Sequence, residues 1–236
     1  MNEAVSQIEA RGYAVLRAVV DKDAMTRIRN AAAAFYDVAE QLDRPEFPKG
    51  YIYNPGNMAT SMAALDDYGD WSITAQFPLL RAIAASSVAR ELLQHFRGDD
   101  VVCSLTHSRM RKSYPQNDPG RPRPSTVEWH KDSAPNVGYY GAFILWVPFT
   151  PCNDQYVGLE MKALDGTVSR PDLDIGDLLA FPDTLEHRTA DVPTSTKDRY
   201  SCDMRFFRAS DVPTRVHEKV SQGALLSVRA FASQPW

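Results

Sequence analysis

The hydrophobic period of this chain changes at Gly98, and that change constrains the fold more than any other feature. Before it, apolar residues recur at helical spacing. Asp21 is an N-cap candidate, and Met25, Ile28, Ala32, Phe35 and Val38 then mark one face of an alanine-rich helix. Pro45 and Pro48 end that helix, 44–60 reads as a loop, and a second helical pattern covers about 78–97. Residues 10–20 (ARGYAVLRAVV) read as a short strand ahead of the first helix. Beyond Gly98 the chain runs through short β-rich segments, 101–110, 125–133, 140–150, 156–163, 177–183, 187–192 and 199–209, mostly divided by turn clusters. Helices first and strands afterwards predict an α+β molecule, mainly β, in which the strands form a sandwich or jelly roll. One domain is expected over 1–236, with 1–98 as helical support, 99–210 as the β core and 211–236 as a tail.

Composition excludes several classes. Apolar residues make up 44% and charged residues 24%, which are globular values. A net charge of −4 does not predict a nucleic-acid partner. No run approaches the length of a membrane span, and MNEAVSQIEARGYAV lacks the layout of a signal peptide. Cys103, Cys152 and Cys202 stand far apart, with no CxxC, and read as reduced, buried thiols of a cytoplasmic protein. The glycine-rich, nucleophile-elbow and zincin motifs are absent.

The chemistry-bearing residues gather in three places. In STVEWHKDS, His130 and Asp132 are two apart, so on a strand both side chains reach one face. His187 follows the strand-and-turn pattern IGDLLAFPDTLE, and Arg199 opens RYSCDMRFF. Two imidazoles and a carboxylate form a facial triad that leaves three octahedral positions open, as non-haem Fe(II) oxygenases require. Arg199 supplies a cation suited to a carboxylate, and Ser201 on the same strand face adds a hydroxyl. Arg199, Ser201, Asp203 and Arg205 alternate with Tyr200, Cys202, Met204 and Phe206. Two arrangements give that alternation: a polar face lining a cavity over an apolar face under the helices, or a half-exposed strand with its polar face in water.

GYAVLRAVVDKDAM, EWHKDS and IGDLLAFPDTLEHRT followed by DRYS resemble the phytanoyl-CoA dioxygenase family of Fe(II)/2-oxoglutarate oxygenases, over about residues 10–208. The resemblance implies a double-stranded β-helix with N-terminal helices packed on one sheet. It also implies Fe(II), with O2 and 2-oxoglutarate as co-substrates and succinate and CO2 as products. It makes His130, Asp132 and His187 the iron ligands and Arg199 the 2-oxoglutarate anchor, with Lys112 as the nearest match to a co-substrate lysine on an earlier strand. Asp at 132 resembles the hydroxylase-type members rather than the halogenases. The expected reaction is oxidation, chiefly hydroxylation, of a C–H bond in a small metabolite or natural-product intermediate. Arg205, Asp203 and Trp129 are the substrate candidates, with an internal ion pair between neighbouring strands as the other reading of Arg205 and Asp203. Trp146, Tyr139 and Tyr140 suit core or rim packing, and His95, His107 and His217 are read as structural or surface residues. The basic positions Arg109, Arg111, Lys112, Arg121 and Arg123 read as a solvated loop, with a phosphate site as the other reading. Two rival classes stand beside the oxygenase: a metal-binding cupin without 2-oxoglutarate, and a metal-free β-sandwich binding module.

Overall fold

The structure, a computed structural model, describes residues 3–41, 78–104, 108–115, 128–133, 141–212 and 225–232. The loop at 44–60, His107, Arg121, Arg123, Tyr139, Tyr140 and His217 lie outside the described residues. Three layers make up the described part: helices, a large antiparallel sheet and a small one.

The N-terminal segment opens with helix α1 (Glu3–Arg11) and strand β1 (Ala14–Leu16), where the hydrophobic pattern predicts a strand over all of 10–20. Gly12 makes the turn between them at φ +90°, and a Cβ there would come within 2.5 Å of Leu185 Cδ1. Helix α2 (Lys22–Gln41) starts where expected, with Asp21 Oδ1 accepting the Ala24 N–H at 2.9 Å. Met25, Ile28 and Ala32 are buried along it. The single helix expected over 78–97 is broken. Residues 78–85 are helical, and Ser86 then caps α3 (Ser87–Arg97) by accepting the Ala89 N–H. A serine in an extended conformation stops one helix and starts the next, a signal that periodicity alone does not carry.

The strands are β2 (Val101–Ser104), β3 (Arg109–Ser113), β4 (Phe143–Pro148), β5 (Leu159–Lys162), β6 (Val168–Ser169), β7 (Leu178–Pro182), β8 (His187–Thr189), β9 (Arg199–Arg208) and β10 (Leu225–Ser227), with a short helix α4 (Val228–Ala232) at the end. The large sheet has the order β1-β7-β4-β9-β2-β10, and β3 also pairs with β9. The small sheet is β6-β5-β8. No strand forms in the described part of 125–133. Residues 128–133 reach the small sheet through one bridge, His130 to His187.

β9 organises the molecule. Tyr200, Cys202, Met204 and Phe206 join one apolar cluster with residues of α1, α2 and α3 and with Phe143, Leu145 and Val147 of β4. Ile144, Trp146, Leu179 and Phe181 point the other way and meet Leu159 and Met161 of the small sheet. The large sheet is therefore covered on both faces, which is why β4 reads as an unbroken apolar run. The opposite face of β9 carries Arg199, Ser201, Asp203 and Arg205, none more than 7% exposed. A water-facing strand is thereby excluded: the polar row of β9 lies between the two sheets. The three cysteines are free and buried. Among the described residues no helix is long and apolar enough to cross a membrane.

Candidate metal and anion site

His130 and His187 are brought side by side by the bridge that joins their backbones. The His130 N–H donates to the His187 carbonyl at 3.1 Å, and the His187 N–H donates back at 3.0 Å. Directly paired residues project to one face, and the two imidazole centroids are 4.4 Å apart. Asp132, two residues along, completes the group. One ligand atom from each of His130, Asp132 and His187 lies within 4.8 Å of the others.

Each imidazole is also oriented by the chain just before it. The His130 Nδ1–H donates to the Glu128 carbonyl at 2.9 Å, and the His187 Nδ1–H donates to the Leu185 carbonyl at 3.0 Å. A carbonyl only accepts, so both rings carry their proton on Nδ1 and present Nε2 as a lone pair, the tautomer a metal needs. Burial lowers the pKa of His187, with Asp132 opposing, so the ring is neutral near pH 7. Burial pushes Asp132 up, but the Arg205 guanidinium and His187 outweigh it and hold the carboxyl well below the usual range. Arg205 Nη2 donates to Asp132 Oδ2 at 2.7 Å. Two imidazoles held by Nδ1 and an ionised carboxylate suit a divalent cation. No cysteine belongs to the group, and burial raises the thiols of Cys103 and Cys152 to about 12.

The same pocket carries a second polar group that could receive an anion. It is lined by the three residues of the metal group together with Arg111, Ser113, Trp146, Arg199 and Asp203, among others. Arg199 is 2% exposed. Its Nη2 donates to Ser113 Oγ and its guanidinium carbon stands 5.2 Å from the Trp146 ring centre, but Nε and Nη1 are buried with no hydrogen-bond partner. Burial pulls its pKa down to about 10, which leaves it charged at neutral pH. Ser201 Oγ and Thr150 Oγ1 are likewise buried and unpartnered. Pro148 pairs with Ser201, and the Phe149 N–H donates to the Tyr200 carbonyl, so continuing the register sets Thr150 beside Arg199 on the same face. A buried cation next to two idle hydroxyls could cradle an anion, because buried polar groups otherwise find partners.

The remaining candidates fall elsewhere. Lys112 pairs in register with Tyr200, on the helix side of the sheet; its Nζ lies 3.2 Å from Asp198 and 5.1 Å from the Tyr114 ring centre. It does not line the pocket, whereas its strand neighbours Arg111 and Ser113 do. Arg111, expected in a loop, is a strand residue whose Nε donates to Asp203 Oδ2 at 2.7 Å. Trp129 alternates with His130 and faces away from the pocket, stacking under Arg188 at 4.7 Å, while Arg188 Nε donates to Glu160 at 2.6 Å. Of the three substrate candidates, Asp203 alone lines the pocket. Ser113 and Thr150 carry no motif, and only the pairing of β3 and β4 with β9 reveals them.

No family model and no curated protein sequence matches the chain. Solved structures do. EctD from S. alaskensis, solved with 2-oxoglutarate and 5-hydroxyectoine, superimposes with a TM-score of 0.62 at 13% identity, over 89% of this chain and 79% of that one. CytC3 with Fe(II) and alpha-ketoglutarate gives 0.56 at 18% identity, over 91% and 78%. The non-heme alpha ketoglutarate dependent epimerase SnoN from nogalamycin biosynthesis gives 0.55 at 14% identity, over 87% and 82%. The chain thus shares the fold of these proteins, a double-stranded β-helix of two facing antiparallel sheets with helices on the larger.

Proposed function

We propose that this chain is a non-haem Fe(II)/2-oxoglutarate-dependent oxygenase of the phytanoyl-CoA dioxygenase type, which hydroxylates a C–H bond of a small molecule. One observation carries the proposal. A buried arginine with two unpartnered N–H-bearing nitrogens shares its pocket with a His-Asp-His group whose imidazoles both present Nε2. The metal group alone fits many metalloproteins, and the arginine alone fits any organic acid. A dicarboxylate that chelates through its oxo-acid end and extends its far carboxylate to a guanidinium uses both. A cupin without an oxo acid leaves Arg199 unexplained, and a metal-free binding module leaves the two oriented imidazoles unexplained.

In this reading His130, Asp132 and His187 hold the iron, which supplies O2 activation coupled to oxidative decarboxylation of 2-oxoglutarate to succinate and CO2. Arg199, Ser201, Ser113 and Thr150 hold the far carboxylate. Arg199 fixes the charge and its direction, the hydroxyls take the remaining lone pairs, and the Trp146 ring covers the guanidinium and excludes water. Ile144, Leu159 and Phe181 add an apolar part to the wall, which strengthens the polar contacts inside. The Arg111–Asp203 pair is the polar feature of the wall left for the substrate. The free buried thiols fit a cytoplasmic enzyme.

Adding Fe(II) and 2-oxoglutarate without oxygen tests the reading. The parent develops the weak visible charge-transfer band of the chelate. His187→Ala loses the band, and Arg199→Ala needs far more 2-oxoglutarate to reach it. A folded parent with no band overturns the proposal, and an Arg199→Ala variant with unchanged 2-oxoglutarate affinity overturns the co-substrate assignment.

A further inference from the structure

Buried Arg205 and half-buried Asp132 form a pair at the edge of the candidate metal group, with side chains 3% and 13% exposed and Nη2 2.7 Å from Oδ2. The two partners belong to very different parts of the fold. Asp132 lies in a turn of the 128–133 segment, which has no strand and one bridge to the small sheet. Arg205 lies within β9, in register with Ile144 of β4, and its backbone N–H donates to Ser108 Oγ at 3.1 Å. The carboxylate is carried by a turn and the guanidinium by a strand flanked on both sides, and the hydrogen bond ties the one to the other.

From this juxtaposition we infer that Arg205 is a positioning residue for the metal: by engaging Oδ2 it orients Asp132 to offer Oδ1 alone. The inference rests on the proposed metal site and adds a role to a residue that the sequence offers as a substrate contact or as half of an internal ion pair. A charge-assisted hydrogen bond in a water-poor setting is strong enough to hold a carboxylate rotamer. One-oxygen ligation matters here because two nitrogens and one oxygen leave three octahedral positions, the number that a chelating oxo acid and O2 need. A carboxylate binding through both oxygens would fill one of them. Arg205 therefore preserves the open face of the site without touching the cation.

The test is titration of the metal-free chain with manganese(II) alone, following the loss of the free-ion EPR signal in the parent, Arg205→Gln and Arg205→Lys. Thermal melting of the metal-free forms reports folding. Arg205→Gln is expected to weaken manganese binding by about 10- to 100-fold, the range found when outer partners of metal ligands are removed. Arg205→Lys, which keeps a charged donor toward Oδ2, recovers most of that loss. Gln binding equal to the parent overturns the inference, as does a folded Lys variant no tighter than a folded Gln variant. Removing a buried charge partner destabilises folds; if Arg205→Gln does not fold, the Lys variant decides, with affinity within a few-fold of the parent supporting the inference and a loss of tenfold or more overturning it. A folded parent that binds no manganese overturns the metal site itself and this role with it, whereas a binding parent matched by the Gln variant overturns this role alone.

Discussion

Burying Arg199 without a carboxylate costs free energy that an incoming anion returns, and this sets opposite signs for stability and binding at one residue. Among the described residues its contacts are one hydroxyl and one aromatic face, and two of its nitrogens have no acceptor. Replacing it with an apolar side chain of similar length removes an unmet polar demand. Arg199→Met is therefore expected to melt no lower than the parent without ligand, with a gain of about 1–3 kcal/mol. The same variant should lose 2-oxoglutarate binding by about 100-fold or more, the worth of two charge-assisted hydrogen bonds. Calorimetric melting and a 2-oxoglutarate titration in the presence of manganese(II) check the two halves separately. Thr150→Val applies the same logic to a neutral group. Its hydroxyl has no partner, so the substitution should not lower the melting temperature, while weakening 2-oxoglutarate by about tenfold or more, as the loss of one hydrogen bond to a charged acceptor does. A Thr150→Val variant that binds like the parent would remove Thr150 from the anion cradle.

At the level of elements, two of the three candidate metal ligands ride on a segment that is not a strand, and its outer face is what sets its place. Glu160 and Arg188 are directly paired across β5 and β8, and the guanidinium, tied to Glu160 at 2.6 Å, lies over the Trp129 ring. His130 and His187, one position on from Trp129 and one back from Arg188, project to the inner face. The outer stack thus holds the register of the inner pair. Trp129→Ala should weaken manganese(II) binding about tenfold, with a stability loss near the ~1 kcal/mol of an exposed cation–π contact plus the packing lost around it. Trp129→Phe, which keeps a ring under Arg188, should recover most of the affinity. The alternation of β9 was legible from its residues because every second side chain is polar. Lys112 shows the limit: shifting attention by one residue along β3 moves a side chain from the pocket to the helix side. Nothing local in RMRKS says which parity faces inward; the pairing of Ser113 with Arg199 does.

For the molecule as a whole, the pocket lies where the two sheets face each other, at the junction of one side chain row that nature of sequence exposes and one that only tertiary pairing supplies. His130, Asp132, His187 and Arg199 were legible because imidazoles are few and the polar row of β9 is regular. Arg111, Ser113 and Thr150 were not, because their positions depend on β3 and β4 flanking β9 from segments far away in the chain. This division has a measurable consequence. The three candidate metal ligands and the candidate anion cradle come from β3, β8, β9, the end of β4 two residues past Pro148, and the 128–133 segment, so a ligand pair joining them would cross-link both sheets. In the proposed enzyme, metal and oxo acid bind the folded state alone, because no unfolded chain keeps these groups together, and each stabilises by mass action. At about 100 times its dissociation constant a ligand adds about 2.7 kcal/mol, which for a chain of this size raises the melting temperature by roughly 5–10 °C. Manganese(II) alone should therefore raise the melting temperature, and 2-oxoglutarate should raise it further when manganese is present and much less when it is absent, since the chelating end of the acid then has no partner. Succinate, which keeps the far carboxylate but lacks the oxo group, should give a smaller rise that Arg199→Met abolishes. Equal shifts from 2-oxoglutarate with and without manganese would show that the acid binds apart from the His-Asp-His group, and the two halves of the pocket would then belong to separate sites.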